Sequence, residues 1–280
     1  MPRIFRFAAL LCTISLVLLL HQVLAGAADR PAFLGFDRNE YPGDDHLPEL
    51  RKTFAFSGYW LNNPPGAQSN SWVGKRDKLE AAGFGFLVLF NGRLYRDLQK
   101  GAAAMGRADG QAAIAAAKHE GFPMRTIIFL DQEEGGRLLP EQKAYLFAWI
   151  DEVARGGFRA GVYCSGIAVR ESGGATITTA EDIRQNADDR NIAYWVTNDA
   201  CPPSPGCAPS RLPPSPLASG IDFTDVWQFA QSPKRKDVAP ACRGYDPNGS
   251  CYSSVAAAKQ NLYVDLNAAN SPDPSNGRAR

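Results

Sequence analysis

The sequence predicts an α/β fold, a single-domain (β/α)8 barrel, and three observations point there. Eight short apolar stretches read as strands, and most are separated by helix-patterned segments, the signature of parallel βαβ units. Eight is also the number of strands that closes such a barrel, and a 280-residue chain has room for the roughly 250 residues it needs. The third is the stretch RTIIFLDQEEGG, Arg125 to Gly136, where an apolar run rich in β-branched residues leads straight into Asp131, Glu133 and Glu134. Carboxylates at the end of a strand buried on both faces belong at the C-terminal mouth of a barrel, where catalysis is found.

The elements follow in order. Residues 1–28 read as a secretory signal. Arg3 and Arg6 supply positive charge, Phe7 to Leu20 an apolar core too short for a comfortable membrane span, and Val23-Leu24-Ala25 or Ala25-Gly26-Ala27 a small-residue cleavage site. The barrel is expected over residues 29–269. Ala32 to Phe36 is its first strand, ending in Asp37, and Phe54 to Leu61 its second, with Trp60 near the end. Lys75 to Ala82 is a short helix closed by Gly83, and Phe84 to Phe90 is strand three. Asp109 is expected to cap an alanine-rich helix that stops before Gly121-Phe122-Pro123.

Thr126 to Leu130 is strand four. Pro140 opens a helix whose Leu146, Trp149, Ile150 and Val153 form the apolar stripe of a helix packed on a sheet, and Gly156-Gly157 stops it. Arg159 to Cys164 is strand five, carrying Tyr163. Thr179-Ala180-Glu181-Asp182 resembles a capping box for a helix through Ile183 and Ala187. Ile192 to Thr197 is strand six, with Trp195 inside it and Asn198 just beyond. Asp225 to Ala230 is strand seven, with Trp227 and Gln228. After an alanine-rich segment, Ser254 to Lys259, strand eight is Leu262 to Leu266 and carries Asp265. The polar tail, residues 270–280, is expected to be disordered.

Of 6 cysteines, five follow the signal. Cys201 and Cys207 bracket a proline-rich loop, and Cys242 and Cys251 bracket a second loop, so two short-range disulfides are expected in an oxidising, secreted or periplasmic setting. Cys164 is left over and reads as a buried small apolar residue. The chain has 3 histidines and a net charge of +1. That scarcity of histidine argues against a metal site or a Ser-His-Asp hydrolase, and the balanced charge against a nucleic-acid partner. Neither cofactor nor metal is implied, and no membrane contact is expected once the signal is cleaved.

Past the strand ends the residues are acids and aromatics: Asp37, Trp60, Asp131, Glu133, Tyr163, Trp195, Asn198, Trp227, Gln228 and Asp265. Strands one and eight adjoin when a barrel closes and strand four lies across, so Asp37 and Asp265 are expected to face Asp131 and Glu133. Opposed carboxyls are what glycoside hydrolysis requires, and crowding them raises at least one pKa, which keeps a proton donor available. Tryptophan and tyrosine faces suit sugar rings. The partner is accordingly a carbohydrate polymer.

GFD at Gly35 to Asp37, LDQE at Leu130 to Glu133, GVY at Gly161 to Tyr163, YWV at Tyr194 to Val196, DVWQFA at Asp225 to Ala230 and VDLN at Val264 to Asn267 occur in an order that resembles glycoside hydrolase family 25, the Chalaropsis-type lysozymes. The segment from Gly106 to Glu134 also resembles the related glycoside-hydrolase-like barrels grouped as domain of unknown function 1906. The resemblance implies a (β/α)8 barrel cleaving β-1,4 bonds in peptidoglycan or a related amino-sugar polymer. It makes Glu133 the general acid, gives Asp131 the role of steadying charge or orienting an acetamido group, and has Asp37 and Asp265 complete the acidic mouth. Two features depart from those lysozymes: the polar run after Leu130, and RNEYPGDD in place of a serine-rich continuation after Asp37. A binding barrel with a degenerate site, using Trp195, Trp227 and Tyr163 as platforms, is the alternative.

Overall fold

Apolar runs punctuated by glycine and proline fold as strands here because burying both their faces needs a sheet covered on each side. The computed structural model describes residues 31–98, 100–207, 212–231, 242, 244, 251–252 and 262–279. The signal reading and the segment Ser254 to Lys259 lie outside them. The strands are β1 (Phe33–Asp37), β2 (Phe56–Trp60), β3 (Gly85–Asn91), β4 (Ile127–Asp131), β5 (Arg159–Ser165), β6 (Val169–Arg170), β7 (Thr176–Ile177), β8 (Ala193–Thr197), β9 (Val226–Ala230) and β10 (Asp265–Ala269). Eight of them close a barrel in the order β1-β10-β9-β8-β5-β4-β3-β2, while β6 and β7 form a separate antiparallel hairpin.

The last barrel strand corrects the sequence reading. It is Asp265–Ala269 rather than Leu262–Leu266, and it runs antiparallel to both neighbours, with Asp37 opposite Asp265 and Gly35 opposite Asn267. The disulfides supply the reason. They join Cys201 to Cys242 and Cys207 to Cys251, with Cα separations of 5.4 and 4.8 Å, and not the two short-range pairs expected. Cys201 follows β8 at the mouth, so its link to Cys242 holds the chain leaving β9 at that same end, where an antiparallel strand begins.

Helices α1 (Leu47–Arg51), α2 (Arg76–Ala81), α3 (Ala102–His119), α4 (Pro140–Arg155) and α5 (Thr179–Gln185) cover the barrel, and a 3-10 turn at Pro216–Ser219 stands between β8 and β9. α3 buries Ala102, Gly106, Gly110, Ala113 and Ala117, a stripe of small residues that lets it lie close to α4. Asp109 therefore falls inside α3 and does not cap it; its carboxylate instead accepts from Tyr145 and Arg93. The capping box of α5 sits one residue earlier than read, between Thr178 and Glu181.

The tail is ordered, against expectation. Ser275 bridges the lower ends of β3 and β4: its N–H donates to Phe86 O (2.9 Å), its Oγ accepts from Val88 N (2.8 Å) and its C=O accepts from Ile127 N (2.7 Å). Asp273 accepts from Phe86 N (2.8 Å), and Arg76 donates to Gly277 O (3.0 Å). These partners satisfy strand groups that β3 and β4 leave open below their own pairing, which begins at Val88 and Ile128. Gly85 is required there, because any side chain would overlap the backbone of Pro272.

Candidate active site

Side chains two apart on a strand share a face, so the barrel interior collects alternate residues: Asp37, Asp131, Tyr163, Trp195 and Gln228 all line one cavity of about 450 Å³ at the mouth. Glu133 and Asp265 line it as well, from just past β4 and the start of β10. Trp60 completes the wall, its Nε1 donating to Arg38 O (3.1 Å). Gly58 makes room for Asp37: a Cβ there would stand 2.7 Å from the Asp37 Cβ.

A hydrogen-bond network fixes the floor. Asn267 Nδ2 (2.6 Å) and Gln228 Nε2 (3.1 Å) both donate to Asp37 Oδ1. Trp195 Nε1 donates to Asn267 Oδ1 (2.9 Å), and the Tyr163 hydroxyl donates to Gln228 Oε1 (2.7 Å). Gln231 Nε2 reaches Thr197 Oγ1 at 2.9 Å and Gln228 Oε1 at 2.8 Å. Asp131 differs. It is buried, and neither of its carboxyl oxygens has a hydrogen-bond partner among the described residues.

Electrostatics follow from this layout. Burial raises Asp37 to about 6, against the pull of its two amide donors, and the charge of Glu133 adds to the rise. Burial, then the charges of Glu133 and Asp37, push Asp131 well above the usual carboxylate range. Glu133 is exposed at the rim, yet the protein around it still raises its carboxyl by desolvation. Each of these three carboxyls thus favours its protonated form more than a solvated one does.

Two expected site residues lie elsewhere. Trp227 alternates with Gln228 and so faces outward, where it is buried and donates to Asn198 O (2.9 Å). Asn198 is held in the loop after β8, donating to Ser219 O (2.8 Å). Arg38, Asn39, Glu40, Gln231 and Tyr263 line the cavity without having been anticipated. Asn267 was legible in principle, since it stands two residues from Asp265 on the same strand face.

The loop carrying Glu133 is anchored behind the site. Glu134 turns away, as the period of two requires, and accepts from Tyr95 N (2.8 Å) and Gln142 Nε2 (2.7 Å). Asp182 of α5, buried, accepts from Arg137 (3.1 Å), Leu138 N (2.9 Å) and Lys143 (3.0 Å). Arg137 also holds Glu171, in the turn between β6 and β7, through two contacts of 2.6 and 3.0 Å.

The barrel is similar to an uncharacterized protein of B. stearothermophilus, with 19% identity over 84% of this chain and 94% of that one and a TM-score of 0.51. It is also similar to the Tat-secreted protein Rv2525c of Mycobacterium tuberculosis, at 12% identity, 85% and 95% coverage and a TM-score of 0.48. A third likeness is to the catalytic domain of endolysin ply40 from bacteriophage P40 of Listeria monocytogenes, at 15% identity, 90% and 100% coverage and a TM-score of 0.49. At 19% identity the first likeness is one of fold. No curated protein sequence matches the chain. Residues 56–207, more than half the chain, match the family described as Rv2525c-like, glycoside hydrolase-like domain. The chain belongs to the Rv2525c-like glycoside hydrolase-like family.

Proposed function

We propose that this protein is an exported glycoside hydrolase that cleaves β-1,4 bonds in peptidoglycan or a related amino-sugar polymer. What carries the reading is the convergence of Asp37, Asp131, Glu133 and Asp265 on one cavity large enough for a sugar. Glu133 is the general acid: it stands at the rim, has no hydrogen-bond partner among the described residues, and keeps its proton longer than a solvated glutamate. Asp131, buried with both oxygens unclaimed, takes its partner from the bound sugar or steadies positive charge there. Asp37 is the more readily ionised of the two floor carboxyls, because two amide donors stabilise its charged form.

The export reading is supported by two disulfides, which persist in oxidising compartments. A binding barrel without catalysis has less support. Of its three platforms Trp227 faces away, and Trp195 is 1% exposed and packed edge-on to Tyr163 at 4.7 Å.

The test is the release of reducing ends from purified peptidoglycan and chitin oligomers between acid and neutral pH. Wild-type protein is expected to release them, and Glu133→Gln to lose at least a hundredfold in rate while its thermal melt and polymer binding stay unchanged. Wild-type protein that binds glycan but releases no ends overturns the assignment.

A further inference from the structure

Arg38 is a cavity residue that neither the fold nor the acid chemistry accounts for. It follows Asp37 directly and lines the cavity. Arg93 and Arg190 show how this molecule satisfies a guanidinium at two points, on Asp109 (2.6 and 2.8 Å) and on Asp151 (2.7 and 3.0 Å). The Arg38 guanidinium makes no side-chain hydrogen bond among the described residues. Its nearest carboxylate is Glu40 at 3.7 Å, and the Glu40 side chain is 80% exposed while that of Arg38 is 19% exposed. Such a pair is held weakly, because water screens it and the glutamate regains rotamer freedom on leaving. Burial lowers the Arg38 pKa in spite of the opposing pull of Glu40 and Asp265, so the charge is undercompensated as it stands.

A guanidinium offers five N–H donors in a rigid fork that matches the two oxygens of a carboxylate, whereas sugar hydroxyls meet it only one at a time. We propose that Arg38 is a specificity-determining residue that reads a carboxylate carried by the sugar bound beside Asp37, and that Glu40 is a placeholder which that carboxylate displaces. The inference rests on the glycosidase reading and narrows its substrate class to acidic glycans. The acid-rich mouth does not forbid an anion. Burial pushes the Asp131 carboxyl upward and that of Asp37 to about 6, and Glu40 swings out to water.

Two sources share this chemistry: a uronic acid, and an amino sugar bearing an ether-linked lactate. Calorimetric titration with N-acetylglucosamine oligomers, oligouronates and lactyl-ether amino-sugar oligomers separates them. Full-length wild-type protein is expected to bind one acidic series about tenfold to a hundredfold tighter than the neutral one. Arg38→Gln should erase that preference, while Glu40→Gln should tighten acidic binding. Equal affinity for acidic and neutral oligomers, binding to none of them, or an Arg38→Gln protein that keeps the preference overturns the proposal. Cleavage of neutral oligomers at undiminished rate in that event leaves the glycosidase reading standing, so the two fail separately.

Discussion

Asp37 shows what a reactive carboxyl costs its own fold. Its pKa rises from 3.8 to about 6 on folding, so between those values the native state holds a proton that the unfolded chain has released. Stability is therefore greatest below the lower value, declines as pH rises through the interval, and above it carries a fixed penalty of roughly 3 kcal/mol. Asp37→Asn keeps an oxygen that accepts from Asn267 and Gln228, so it should raise the melting temperature at pH 7 and lose that advantage near pH 4, while hydrolysis falls. Melts recorded at both pH values check it; an equal effect at the two would mean that Asp37 is not desolvated. Residue identity at the strand ends was legible because an acid beside a buried strand has few structural uses. The direction of Trp227 was misread because only the strand's register, which one sequence does not set, decides which of two neighbours faces inward.

At the level of elements, the loop between β4 and α4 is held by a charge cluster as well as by the packing of Leu138. Asp182 is buried with two cations on it and accepts the Leu138 N–H besides, so Asp182→Asn should cost about 2–3 kcal/mol. That is below the usual cost of breaking a buried pair, because Arg137 and Lys143 reach solvent. Hydrolysis should drop with it, since Glu133 stands on the same loop. Glu171→Gln removes only an exposed partner and should change neither stability nor rate beyond scatter, which denaturant curves and initial rates would show. The helix starts explain where sequence reading succeeds. Pro140 was placed correctly because proline at a first turn is a local signal, and Asp109 was misplaced because its partners Arg93 and Tyr145 are distant in sequence.

For the whole molecule, connectivity is set at the mouth. Each disulfide closes a loop of 41 or 44 residues across two connections, and one such cross-link is worth on the order of 4 kcal/mol in chain entropy. Peptide mapping should recover Cys201 with Cys242 and Cys207 with Cys251. Reductant should lower the melting temperature; a melt indifferent to reductant would remove the argument that these links brace the mouth. Eight strands were countable from apolar runs, but the reversal of β10 was not, because strand direction depends on which end the preceding loop is tied to. The tail was misjudged for a related reason: its composition is polar, and its order comes from backbone partners on β3 and β4.

That tail also sets a clock. Val88 waits 187 residues for Ser275, so at ribosomal speeds β3 exists for roughly 10–40 s before its lower end can be sealed. During that interval the backbone groups of Phe86, Val88 and Ile127 that Asp273 and Ser275 will satisfy have only water as a partner.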